Sequence, residues 1–188
     1  MKPLLFLASC CLALAALAGC GPKTNLVPLE YLAVGQAEGL CARPVAVGAF
    51  ADRRPGADIG RDRAIALYPA TGTVSQWVEG ALRTELAARG CDASRENRDS
   101  PFNPGQVVRG EILKLSTTRD GFDHVTEMEL AVTLERDGQT ALQKTYYGRW
   151  ERTFVTPSDT RFRDLLREAL QDVLRDVVHD LRPLLGQG

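Results

Sequence analysis

Histidine is almost missing: the 188-residue chain carries two, His124 and His179. Neither has a partner at a metal-ligand spacing such as HxxxH or CxxC, so no metal is expected. Enzyme signatures are missing as well. No G-x-S-x-G turn, Walker-type loop or Rossmann glycine triplet occurs, and no acid sits in an apolar setting that would raise its pKa. The chain is therefore expected to be no enzyme and to use no cofactor. An excess of one charge is also lacking, with 23 Lys+Arg against 24 Asp+Glu. That balance excludes an electrostatic binder of nucleic acid or of an anionic bilayer. Long hydrophobic runs are absent too: the apolar stretch over 4–17 falls short of the roughly 20 residues that cross a bilayer. What remains is ordinary for a globular chain, 44% hydrophobic and 25% charged. Such a composition excludes a wholly disordered or fibrous protein.

The short apolar stretch follows Lys2 and ends in Leu17-Ala18-Gly19-Cys20. A basic start, a short apolar core and small residues at its end make a cleaved export signal over 1–19. Its last four residues resemble the lipobox of bacterial lipoproteins, in which the thiol, here Cys20, is acylated and the chain is cut before it. Two or more acyl chains anchor stably where one is marginal. The resemblance implies a membrane partner through the lipid anchor. Gly21 stands where enteric lipoproteins carry Asp if they stay in the inner membrane, which implies the periplasmic leaflet of the outer membrane. Residues 20–42, with prolines, glycines and no sustained period, read as a lipidated N-terminus and tether. The stretch 26–32 is apolar enough to lie against the domain. A single α+β domain is expected over 43–185.

Within it, Val45 and Val47 in a short apolar run over 44–51 predict a buried strand. About 20 irregular residues follow. Val74, Trp77, Val78, Ala81, Leu82 and Leu86 then form one helical stripe, with Thr73 and Gln76 as a capping box and Gly90 as the stop. Residues 92–105 read as a loop. Beyond them the period becomes two. Met128, Leu130, Val132 and Leu134 alternate with polar residues, flanked by strands over 107–117 and 140–155. A bulge is expected near Gly110, because Leu113 and Leu115 break the alternation set by Val108 and Ile112. Asp137-Gly138 marks a hairpin turn. A two-residue loop would turn Thr145 and Tyr147 toward the Met128/Leu130 face, and a three-residue loop Leu142, Tyr146 and Trp150. Last comes a long amphipathic helix capped at Thr156-Pro157-Ser158-Asp159, striped from Phe162 to Leu181 and ending at Arg182-Pro183. The order β-α-β-β-β-α predicts an α+β sandwich, a roughly four-stranded sheet with both helices on one face.

Two features invite a functional reading. The first is the loop carrying Asp52, Arg53, Arg54, Arg61 and Arg63. Its charges either pair among themselves in solvent, the commoner state of loop charges, or offer forked donors to a carboxylate or phosphate. The second is cysteine. After signal cleavage Cys20, Cys41 and Cys91 remain, and acylation of Cys20 leaves one pair in an oxidising compartment. A helix packing back on its preceding strand ends near that strand's start, which favours a Cys41–Cys91 disulfide over the alternative of two buried free thiols.

The valine-rich strand, Asp52 with Arg54, Ile59-Gly60, the striped helix ending in Arg89-Gly90 and the final strands and helix resemble the YajG-like family of bacterial lipoproteins. The extra arginines, Cys41 and Cys91 depart from that pattern. The resemblance implies an α+β periplasmic domain with no established activity. The expected function is a non-catalytic binding or accessory module of the envelope, with an envelope protein as partner. The alternative is a lipid- or glycan-binding auxiliary of a transport system. An exposed patch at Tyr146, Tyr147 and Trp150 would favour the protein partner, and an apolar cavity between helices and sheet the alternative.

Overall fold

The period-two segments become three long antiparallel strands, and short strands extend them on one side only. The computed structural model describes residues 24–97, 105–154 and 159–186. Among these the strands are β1 Thr24–Val27, β2 Val45–Asp52, β3 Gly60–Asp62, β4 Ile65–Pro69, β5 Ala93–Arg95, β6 Gln106–Asp120, β7 Asp123–Arg136 and β8 Gln139–Thr153. The helices are α1 Val74–Ala88 and α2 Asp159–Leu185. The signal segment, Cys20, residues 98–104 and the expected cap at 155–158 lie outside the described residues.

The fold is α+β as expected, but the sheet has eight strands rather than four. β6 pairs antiparallel with β7, and β7 with β8. The other edge of β6 is shared end to end by two parallel neighbours: β2 along 107–112 and β3 along 117–118. β5 then adds to β2, β4 to β3, and β1 to β4. The four unforeseen strands have three to five residues each, too few to show a period. The irregular loop thus contains the β3–β4 hairpin, and the expected loop after α1 contains β5. Of the stretch read as a tether, 24–42 packs on the domain.

That stretch forms a strap across the helices. Beyond β1 its burial alternates: Leu29 and Tyr31 pack on the core while Glu30, Leu32 and Val34 face out. Glu30 C=O accepts from Trp77 Nε1 at 3.2 Å, and Leu32 C=O from Gln171 Nε2 at 2.7 Å. Farther along, Leu40 N–H donates to Arg89 C=O and Ala42 N–H to Leu185 C=O. Partners on both helices rise in number as the strap advances, so strap, α1 and α2 all run the same way.

α1 begins on the expected capping box, Thr73 Oγ1 accepting from Gln76 N–H at 3.2 Å and Gln76 Oε1 from Thr73 N–H at 3.1 Å. α2 passes the expected stop at Pro183 and ends at Leu185. A proline there forfeits its own N–H bond to the preceding turn, and burying Leu185 holds the turn in place despite that loss. The helices' apolar stripes join Ile112, Met128, Leu130, Val132 and Leu134 in one core.

Two register questions are decided by packing. The bulge in β6 falls at Leu113, not Gly110. Gly110 is glycine because the Phe50 ring lies where a Cβ would project. At the β7–β8 turn, Asp137 and Gly138 are both left-handed, φ 49° and 81°, as a two-residue primed turn requires. Ala141 is then bulged, so Leu134 faces Leu142 and Leu130 faces Tyr146. The turn is the short one, yet the face is that of the longer loop, because burying Leu142, Tyr146 and Trp150 outweighs one lost ladder position.

Candidate functional site

The charged loop does not form one cradle. Asp52 accepts from Arg54 Nε at 2.8 Å and Nη2 at 2.7 Å, and Arg54 Nη1 donates to Asp58 C=O at 2.7 Å. That pairing buries the Arg54 side chain to 4% exposure and holds the Asp52 carboxyl below its usual pKa. Arg53 turns away to Glu111 at 3.0 Å. Arg61 approaches Asp58 at 3.8 Å and stays largely exposed. Arg63 stands at the β3–β4 turn, in a left-handed conformation of φ 56°. Arg53, Arg61 and Arg63 all point outward, the first two with an acid at one side. Cys41 and Cys91 are joined in a disulfide, Cα atoms 5.0 Å apart, fastening the end of the strap to the end of α1.

The three aromatics of β8 also separate. Tyr146 is buried and its hydroxyl donates to Asp180 at 3.0 Å, while Trp150 Nε1 donates to Asp172 at 2.6 Å. A Cβ on Gly148 would enter the Trp150 ring, so glycine lets that ring lie along its own strand. Tyr147 faces the opposite side of the sheet, exposed, and donates to Glu127 at 2.8 Å.

This arrangement leaves a polar cleft of about 360 Å³ where β8 meets α2, lined by Lys144, Thr145, Tyr146, Tyr147, Asp176, His179 and Asp180. Lys144 Nζ lies 2.5 Å from Asp180 Oδ2 and 5.0 Å from the Tyr146 ring centre. The Lys144 ammonium holds the Asp180 carboxyl below its ordinary range, and burial beside Asp180 pushes the Tyr146 hydroxyl up. A depressed acid and a raised phenol are opposite to what proton transfer near neutrality needs. Both are suited to fixed hydrogen bonding. No cluster of three metal-ligating side chains occurs among the described residues.

Beside the cleft runs a free strand edge. β8 pairs with β7 over its length and, among the described residues, with no strand on its other side. Fifteen residues at about 3.4 Å each make roughly 50 Å of edge. Sequence reading missed the cleft because Lys144 and Asp180 are 36 residues apart. It also missed the carboxylates that folding buries on α1. Glu85, 1% exposed, accepts from Arg89 Nη2 at 2.9 Å, Tyr31 hydroxyl at 2.9 Å and Val34 N–H at 3.1 Å. It pins the strap. Glu79 is paired with Arg95 at 2.9 Å.

In sequence, no protein-family model and no curated protein matches the chain. In structure the fold has known relatives. A Xanthomonas campestris protein of the DUF330 family superposes with a TM-score of 0.57 at 12% identity, over 87% of this chain and 94% of that one. An uncharacterised protein superposes with a TM-score of 0.51 at 12% identity, over 86% and 99%. A minor lipoprotein from Acinetobacter baumannii reaches 0.43 at 10% identity, over 74% and 93%, too distant to carry an argument. The first two establish the shared fold alone. They do not single out the YajG-like family.

Proposed function

We propose that this chain is a lipid-anchored protein of the bacterial envelope, akin to the YajG-like lipoproteins, that works without catalysis as an accessory module for a protein partner. It is held by Cys20 on the periplasmic face of the outer membrane. The observation that carries the reading is the free edge of β8. An exposed strand edge binds an added strand through main-chain hydrogen bonds, and flanking side chains choose which one. Lys144, Arg149 and Arg152 along β8 discourage indiscriminate pairing, and the cleft with Lys144 and Asp180 supplies selectivity. The anchor reading is supported by the lipobox and by the fact that no described helix is long and apolar enough to cross a membrane.

A photo-crosslinking residue at Thr145 or Tyr147, introduced in living cells, tests this. A discrete protein adduct is expected from these positions and none from Ser94 in β5, across the sheet from β8. Adducts with lipid or glycan alone would support the carrier alternative instead.

A further inference from the structure

Strand register shows at which end of the sheet the chain enters the domain. One row of paired residues crosses the sheet: Thr24 with Ala66, Ala66 with Arg61, Arg61 with Thr118, and Thr118 with Val125. β6 runs from this row toward the β6–β7 turn. β3 is parallel to β6, β4 antiparallel to β3, and β1 parallel to β4. β1 therefore runs opposite to β6, and Thr24 presents its N-terminal side to the end of the sheet that carries the turn. Cys20 stands four residues before Thr24, a reach of at most about 14 Å. Asp120, at the base of the turn, stands two residues beyond Thr118, about 7 Å along the strand. An anchor on so short a lead holds the turn close to the lipid.

The turn is built for that neighbour. Its tip is Gly121-Phe122, and Phe122 is 60% exposed, where a large apolar side chain gains nothing from water. The tip is held firmly: Arg119 Nε donates to Gly121 C=O at 2.7 Å and Phe154 N–H to Phe122 C=O at 2.8 Å. Arg63 at the next turn and Arg61 in the shared row are exposed cations beside it. An aromatic tip flanked by arginines suits the headgroup–acyl boundary, the ring entering the apolar side and the guanidiniums meeting phosphate.

We infer that the end of the sheet formed by Phe122, Arg61 and Arg63 rests on the bilayer that holds the acyl chains of Cys20, with Phe122 inserted at its interface. This rests on the lipoprotein reading above. Because the anchor already confines the domain to the surface, the contact needs little affinity of its own to set orientation.

The test uses the full acylated protein in vesicles of phosphatidylethanolamine and phosphatidylglycerol. Phe122→Cys and Ala64→Cys place a polarity-sensitive fluorophore at this end, and Gln139→Cys places it at the opposite turn. With Cys41 and Cys91 bonded and Cys20 acylated, the new thiol alone is labelled. Lipids carrying a nitroxide near the headgroup should quench the probes at 122 and 64 several-fold, with blue-shifted emission at 122, and leave 139 unchanged. Vesicle-bound protein in which 122 and 139 respond alike, or 139 the more strongly, would overturn the orientation. The mass of the N-terminal peptide from the same sample separates the two ideas: an unmodified Cys20 would sink the lipoprotein reading, and the inference with it.

Discussion

His124 spends its imidazole on packing. It is fully buried at the start of β7, between Phe154 with ring centres 5.1 Å apart and Phe162 at 4.9 Å. Neither ring nitrogen has a partner among the described residues. Burial pulls its pKa below the ordinary 6.5, Arg119 adds to the effect, and Asp62 and Asp123 oppose it. The direction of the pH effect follows. Above about pH 6.5 the side chain is neutral folded and unfolded, and its packing contributes fully. As pH falls below that, the unfolded chain takes up a proton that the folded chain refuses, so stability drops until pH passes the depressed folded value. His124→Phe should flatten this part of the curve, read as denaturant midpoints across the acid range. An acid loss of equal size in that variant would assign the effect to other groups. Glu85 shows the opposite treatment of a buried polar group: three different donors satisfy it, so it positions the strap instead of destabilising α1.

Elements differ in how they obtain their stability. α2 has 27 residues, and its buried side from Phe162 to Leu185 crosses β7, β8, β1 and α1. Its other side pairs with the sheet rim, Arg152 with Glu168 at 2.7 Å and Trp150 with Asp172 at 2.6 Å. Leu170→Ala removes a fully buried side chain and should destabilise the domain by about 2–5 kcal/mol. Arg175→Ala, at a side chain 61% exposed, should change stability by under about 0.5 kcal/mol. Chemical denaturation of both variants checks the contrast; equal small effects that came with loss of a partner would make α2 an interface. β8 is the weaker element by construction, since one of its edges is unsupported. A partner strand added there would stabilise it without altering the core.

At the scale of the molecule, the strap and disulfide tie the N-terminal segment to both helices. The bond closes a loop with a sequence separation of 50. In the chain-entropy model such a closure stabilises by about 4 kcal/mol, with engineered cases often lower. Cys41→Ser and Cys91→Ser should each lower the melting temperature, and reduction should do the same to the parent protein. Denatured, unreduced periplasmic protein should react with no thiol reagent, and two reactive thiols would show the bond absent in the cell. Loosening this bond frees the strap from the end of α1, so protease sensitivity should rise first in the strap.

Local pattern was enough for the elements that are long and half-buried. The stripe of α1, its Thr73–Gln76 cap, the alternation of β7 and the stripe of α2 are each written within a few turns or strand positions, because one face of each must leave water. The paired state of Asp52 and Arg54 was one of two readings left open. What the tertiary structure alone decided depends on residues far apart in the chain. β1, β3, β4 and β5 are strands because neighbours offer them hydrogen bonds, not because their few residues alternate. β8 takes its face from the gain in burying Tyr146 and Trp150, which overrides the simple count from Asp137-Gly138. Glu85 and His124 look like ordinary surface residues in sequence and are buried by the strap and by the phenylalanines. The cleft of Lys144 and Asp180 and the end bearing Phe122 exist only once strand pairing has set which residues share a row. Periodicity records which face is dry; pairing partners, register and free edges come from the closure of the whole chain.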